Sequence, residues 1–457
     1  LSLENVLKIT MSFHPVVKQA SLLSDDAAAK IRQAKGQFDP KLQLDYSLKD
    51  FKEKEYYNLL NTSLKVPTWV GIEPKVEFLK NSGEFINEQN RIPDETNNEQ
   101  VAIGFSIPLG KGLFFDERRN MVRQAEAFSQ IADAEKVKQT NKILLVVIKD
   151  YWSWYLSYQR VELLSQAMDL ANNLFERTII DYEFGEASVV DTLQAKINLQ
   201  KRSVDYRKSQ LDFELAKLNI SKHLWSQDLI PLELQESVIP DSVSLFSLMQ
   251  NQSIKDEIEF ALENHPEVNK LEGKRNQLNY ELKWNRESIK PKADLSYSFI
   301  DAPLNPNFQS SSIDFGENYK LGIDFAFPIF LRKERGKIQQ TRLKIQDNEY
   351  AVAQNQLEIK NEVLGQYAQS IALQELFQQY KGVSDNYQRL LDAEIINLQN
   401  GETDLFKLNI QQDKFIEAKS DFYEAFSKWE KSKAEYHYAT GKEFLGLSNM
   451  FDINTNQ

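Results

Sequence analysis

A chain of 457 residues with 27% charged and 41% hydrophobic side chains, but only 16 glycines and 13 prolines, favours long helices over a loop-rich globule. The absence of cysteine excludes disulfides, thiol catalysis and thiolate metal sites, and four scattered histidines argue against zinc catalysis. A net charge of -12 argues against a nucleic-acid partner, and no apolar run reaches the roughly 18 residues of a spanning helix, a test that transmembrane strands escape.

The chain starts at Leu1 without Met or a basic, apolar leader, as a mature, processed form would. Leu3 to Lys35 reads as helix, interrupted by His14-Pro15. Past Pro40, Leu42, Leu44, Tyr46 and Leu48 alternate with Lys41, Gln43, Asp45 and Ser47, which marks a strand with one greasy and one wet face. Lys52 to Asn98 stays ambiguous: Leu64 to Val66 and Lys75 to Phe78 are either an extra hairpin or an exterior loop. Val101, Ile103, Phe105 and Ile107 then alternate with Ala102, Gly104 and Ser106 as a second strand.

From about Leu113 to Phe184 the pattern predicts one helix of roughly 70 residues, about 105 Å long. Gly185 ends it, and Glu186 to His223 forms the next helix. The Pro-flanked segment from Trp225 to Gln252 and the tail from Phe444 read as a belt at mid-height. Ile254 to Ser288 is helical again, with His265-Pro266 inside it. Two more alternating strands follow, Ala293/Leu295/Tyr297/Phe299 and Leu321/Ile323/Phe325/Phe327. Helices from about Lys333 to Gln399 and Thr403 to Thr440, separated by Gly401, complete the chain.

The order of landmarks repeats. His14-Pro15 matches His265-Pro266, Ile107-Pro108 matches Phe327-Pro328, Glu117-Arg118 matches Glu334-Arg335, Tyr151 matches Tyr367, and Gly185-Glu186 matches Gly401-Glu402. The chain is an internal duplication of about 215 to 250 residues. Four strands are too few for a barrel, since the smallest have about eight, so three chains supplying about twelve give the economical closure.

These features resemble the TolC-like outer-membrane efflux protein family over nearly the whole chain. The resemblance rests on the helix opened by Leu1-Ser2-Leu3, the X-Pro pair, the strands ending at Ile107-Pro108-Leu109 and Phe327-Pro328-Ile329, the Arg-bearing helix starts at Arg118-Arg119 and Arg335, and the two tip glycines. Departures are His before both prolines, where the family usually has Asn before the first, and a single Arg at the second junction, where Gly336 follows Arg335.

The resemblance implies a homotrimer: a shared barrel of about twelve strands in the outer membrane, continued by a helical periplasmic tunnel. It implies a periplasmic adaptor and an inner-membrane transporter as partners, with small molecules or secreted polypeptides passing through. Segments then follow as 1–39 tunnel helix, 40–111 barrel strands with an exterior loop, 112–223 tunnel hairpin, 224–253 equatorial, 254–290 tunnel helix, 291–330 barrel strands, 331–441 tunnel hairpin and 442–457 equatorial.

The resemblance also assigns roles. Gly185, Glu186, Gly401 and Glu402 become adaptor-contacting tips. Asp191 becomes an acidic gate residue, with Asp404 and Lys407 at the corresponding entrance, Lys407 standing where better-known members carry Asp. The alternation puts Tyr46, Phe105, Tyr297, Phe299, Phe325 and Phe327 toward lipid, and Gln43, Asp45, Ser106, Asp294, Ser296 and Asp324 toward the lumen. An excess of 67 acidic over 55 basic residues points to a cation-preferring lumen. The competing reading is a structural or adaptor-type periplasmic coiled coil with a soluble sheet, which does not need paired strands at matched positions. No phosphate loop, metal-spaced His pair or catalytic triad pattern suggests an enzyme, a cofactor or a metal.

Overall fold

The computed structural model describes residues 1–92, 96–244, 253–301 and 318–444. Helices α1 (Leu3–Phe13) and α2 (Pro15–Lys35) precede strands β1 (Lys41–Phe51), β2 (Lys54–Lys65), β3 (Glu73–Ser82) and β4 (Glu99–Pro108). Then come α3 (Glu117–Glu183), α4 (Val189–Ser221), α5 (Ile254–Asn264) and α6 (Pro266–Glu287). The second strand group is β5 (Lys292–Asp301) and β6 (Tyr319–Ala326), followed by α7 (Arg332–Gln399) and α8 (Leu405–Ala439). The expected helices are therefore present, and α3 and α7 run unbroken for 67 and 68 residues.

The chain divides into two compact units: one of Leu1–Leu23, Asp133–Asn269 and Ala353–Gln457, the other of Ser24–Ala132 and Lys270–Val352. The first is helical, and its core gathers around aromatic residues of α3. Tyr151, Trp152 and Trp154 are fully buried and pack with Leu3, Val6, Ile148, Ile220 and Ala434. Trp152 meets Phe426 of α8 edge-on, with centroids 5.5 Å apart. The Tyr151 hydroxyl stands 2.9 Å from the Leu1 carbonyl and 2.8 Å from that of Asp241, and it accepts the Asp241 N–H at 2.9 Å. That phenol thus ties residues of the 224–244 segment to α3. Residues 245–252 and the tail past Phe444, which carry the rest of the expected belt, lie outside the described residues.

The two His-Pro joints share one geometry. His14 Nδ1 accepts the N–H of Val16 at 3.2 Å, and His265 Nδ1 accepts that of Glu267 at 3.2 Å. Each imidazole thereby serves an otherwise orphaned N–H at the start of the following helix, as a capping side chain does. Burial, aided by the neighbouring His223, lowers the His14 pKa to about 4, and burial also lowers that of His265. The His223 Nε2 lies 2.7 Å from the Asp150 carboxylate.

The second unit holds one antiparallel six-stranded sheet in the order β1-β2-β3-β4-β5-β6. This corrects the count of four strands: residues 54–82 form a full hairpin paired on both sides, from Lys41↔Lys65 against β1 to Glu73↔Ser106 against β4. The hairpin's turn is anchored. Trp69 packs on Phe38 with centroids 5.2 Å apart, the Arg123 guanidinium lies over the Trp69 ring, and Arg118 pairs with Glu73. Next to it, Arg119 donates to the carbonyls of Gly112, Leu113 and Phe114, fixing the bend between β4 and α3.

Phe327 also departs from expectation. β6 ends at Ala326, which faces Lys292, the first residue of β5, so no ladder partner remains for Phe327; Pro328 behind it lacks an N–H.

Because the folded-state pKa of His14 lies below its ordinary value of 6.5, its contribution to stability is complete above that pH and is lost as pH falls toward about 4. His14→Asn keeps a capping acceptor without a titrating ring. The plot of thermal midpoint against pH should therefore be flatter for this variant between pH 6.5 and 4 than for the parent; superimposable curves would remove His14 from the account.

Candidate functional site

The sheet register sorts side chains without reference to periodicity, because directly opposed residues share a face. Starting from Tyr46 and following the pairs through Leu60, then from Val76 through Ile103 to Phe299 and Tyr319, one face collects Leu42, Leu44, Tyr46, Leu64, Phe78, Phe105, Ile107, Tyr297, Ile323 and Phe325. Phe105 packs on Tyr297 at 6.2 Å, and Tyr297 stacks on Tyr319 at 5.7 Å. This apolar face is open in the single chain, with Leu42 72% and Phe325 68% exposed.

The opposite face carries Gln43 against Ser63, Asp45 against Asn61, Ser106 against Ser296, and Asp294 against Asp324. Of the twelve strand residues singled out from the sequence, Tyr46, Phe105, Tyr297, Phe299 and Phe325 share the first face, Gln43, Asp45, Ser106, Asp294, Ser296 and Asp324 share the second, and Phe327 lies past the ladder. Ion pairs on this face join Lys75 to Glu77 and Lys292 to Asp294. Gly104 sits where a Cβ would stand 2.2 Å from the Tyr297 carbonyl oxygen, so the β4–β5 seam tolerates no side chain there.

The helix tips form the second candidate region. Gly185 has φ +79 and Gly401 φ +74, the left-handed region that glycine enters freely. At each tip the glycine N–H bonds the carbonyl three residues back, Tyr182 or Leu398, and the following Glu N–H bonds the carbonyl five residues back, Asp181 or Asn397. That double bond pattern is the Schellman stop.

The next helix is capped at once. Ser188 and Asp191 form a reciprocal capping box, with the Ser188 N–H 2.9 Å from the Asp191 carboxylate and the Asp191 N–H 3.2 Å from the Ser188 hydroxyl. These hydrogen bonds hold the Asp191 pKa below the usual carboxylate value. Asp404 caps α8 through the Lys407 N–H at 2.8 Å. Asp191 and Lys407 are thus equivalent in the duplication, each three residues into its helix from the cap.

Within one chain the tip residues find partners other than each other. Lys407 Nζ lies 3.3 Å from the Glu394 carboxylate, which also accepts from the Thr403 hydroxyl at 2.5 Å. Further up, Asn198 donates to Asn409 at 2.7 Å, and Lys201 and Arg202 both reach Asp413. Sequence reasoning missed Glu394, which lies in the preceding helix ten residues before the Asp404 cap. Ser188-x-x-Asp191 was readable as a capping box.

A family model for outer membrane efflux proteins matches residues 9–223 and 258–441. Among solved structures, the Campylobacter jejuni CmeC outer membrane channel superposes with a TM-score of 0.67 at 13% identity, covering 98% of this chain and 88% of that one. The Vibrio cholerae outer membrane protein VceC gives 0.66 at 15% identity over 97% and 96% of the two chains. The open state of the Neisseria gonorrhoeae MtrE outer membrane channel gives 0.67 at 14% over 96% and 89%. No curated protein matches the chain.

Ser188→Ala removes both hydrogen bonds of the hydroxyl, from the Asp191 N–H and to the Asp191 carboxylate, and should cost about 1 kcal/mol of local helix stability. Amide exchange at residues 189–192 should accelerate while exchange in the Tyr151 core stays constant. Equal protection in both variants would mean the tip is held by something other than its cap. The two tips, the two faces of the sheet and a family model spanning both repeats lead to one assignment: the chain belongs to the outer membrane efflux protein family.

Proposed function

We propose that this outer-membrane exit duct is a passive channel closed by three copies of the chain. The observation that carries the reading is the six-stranded sheet with one exposed apolar face, one polar face and two unfinished edges, β1 and β6. In hydrocarbon every backbone N–H and carbonyl needs an internal partner, so β6 of one copy pairs with β1 of the next until the wall closes. Three copies then supply eighteen strands in place of about twelve. Tyr46, Phe105, Tyr297, Phe299 and Phe325 face lipid, and Gln43, Asp45, Ser106, Asp294, Ser296 and Asp324 face the water column.

The helices support the same assembly. Val190, Ile197, Val204, Leu211 and Leu218 recur every seven residues on α4 and are all exposed, and Leu357, Leu364 and Ile371 do so on α7. Such stripes are the seams of helix pairs whose partner is another copy. An adaptor's helices meet the tips at Gly185, Glu186, Gly401 and Glu402, and an inner-membrane pump supplies the energy for small molecules or secreted polypeptides. Asp191 of one copy meets Lys407 of the next at the entrance, trading the intrachain Lys407–Glu394 pair for an intersubunit one.

Phe105→Arg tests the wall. A cation on the lipid face costs roughly 2–4 kcal/mol near mid-membrane, so the yield of membrane-inserted trimer, read by mass in detergent, should fall sharply. Undiminished yield, or a monomeric parent, would remove the closed-wall reading. Single-channel conductance in planar bilayers tests the duct: the parent should give discrete long-lived steps, and Asp191→Ala and Lys407→Asp should each raise the conductance or the open time. If both variants match the parent, the entrance is not gated by this pair.

A further inference from the structure

The polar face carries a feature that the overall charge conceals. Lys41 stands directly opposite Lys65, and Lys65 directly opposite Lys75. The row continues from Lys75 to Gly104, from Gly104 to Ser298, and from Ser298 to Lys320. Four lysines thus occupy one transverse row of six positions, from the first edge strand to the last, and the two remaining positions are small. Lys65 and Lys75 belong to the hairpin that raises the strand count.

Like charges directly opposed across a ladder are destabilising. Here three consecutive strands oppose lysine to lysine to lysine, so folding alone does not account for the choice. Among the described residues only Lys75 of the four has an ion-pair partner, Glu77 two positions along its own strand. Of the acids near the row on the polar face, Glu73 pairs with Arg118 and Asp294 with Lys292, while Asp45 and Asp324 lie further along β1 and β6, so that no acid stands in the row itself. Lys41, Lys65 and Lys320 therefore present a net positive band, although the whole chain carries -12.

We infer that this lysine row is an electrostatic filter in the barrel that favours anionic solutes, with the β2–β3 hairpin supplying its centre. The inference rests on the reading of the polar face as the water-filled one. A wall of low dielectric focuses the field of fixed charges into the water column, so the row concentrates anions along its own height whatever the charge elsewhere. Edge strands β1 and β6 each bring a lysine to the seam, so three copies carry the band around the full circumference.

The absence of cysteine gives a background-free test. In the 457-residue chain reconstituted into liposomes, Gln43→Cys places a thiol beside the row, and Ile103→Cys places one on the apolar face. Each is treated with an anionic sulfonatoethyl and a cationic trimethylammonioethyl methanethiosulfonate, with rates normalised to free cysteine. The Gln43→Cys thiol should prefer the anionic reagent by about threefold to tenfold, and Lys41→Gln, Lys65→Gln and Lys320→Gln together should abolish the preference. Lys65→Gln alone should give an intermediate value and serves if the triple variant does not assemble. The Ile103→Cys thiol should react with neither reagent. A reactive Gln43→Cys with no charge preference, or one that persists without the lysines, overturns the filter and leaves the duct standing. Equal reactivity at both positions overturns the division of the sheet into wet and lipid faces, and the filter falls with it.

Discussion

A strand at the edge of a sheet holds a row of N–H and carbonyl groups that something must satisfy, and in a bilayer water is not available to do so. This chain ends its sheet on two such rows, the outer edges of β1 and β6. In water an apolar sheet face with open edges invites indiscriminate pairing; in lipid the same features specify a closed ring. The exposed face bearing Leu42, Tyr46, Ile323 and Phe325 fits that constraint, and neither it nor the heptad stripe on α4 has an occupant among the described residues of one chain. The long helices answer to different physics: their surfaces are mixed in charge, and what fixes them is the aromatic knot around Tyr151, Trp152 and Trp154 and the caps at their ends.

Much of this was legible because a sheet with one wet and one greasy face writes itself into the sequence with period two. β1, β4, β5 and β6 alternate almost cleanly. β2 does not: Tyr56-Tyr57 and Leu59-Leu60 are apolar doublets, and the register puts Tyr57 and Leu59 on the polar face. β3 likewise turns Leu79 to the polar face and Lys80 to the apolar one, where Lys80 pairs with Glu99 at 2.8 Å. Doublets cancel the alternation on which strand recognition depends, which is why residues 52–98 read equally as hairpin or loop. The lysine row escaped for a related reason: opposition across strands is set by register, and one sequence does not reveal register until the hairpin is known to exist.

The duplication is exact in its backbone devices and loose in its side-chain chemistry. Both His-Pro joints use an imidazole nitrogen as the cap acceptor, and both tips use the same pair of backbone bonds. At the third position after each cap, however, one repeat has Asp191, tied to its own cap, and the other has Lys407, tied to Glu394. Among the described residues the strand content differs as well, four in the first repeat against two in the second, and the repeats meet at the β4–β5 seam where Gly104 leaves no room for a Cβ. Geometry needed to turn and join the chain is retained in both copies, whereas charge at the tips and the number of described strands differ between them.

The two tip glycines make a stereochemical point. Many glycines are fixed because a Cβ would strike a neighbour, as at Gly104, but around Gly185 and Gly401 nothing lies within 4 Å of where a Cβ would project. What these positions require is handedness, a backbone turned to positive φ, and not smallness. A D-alanine satisfies that requirement as well as glycine does and leaves the unfolded chain less freedom to lose. Chemical ligation of a D-residue at either tip would therefore tighten the turn without altering a single contact around it.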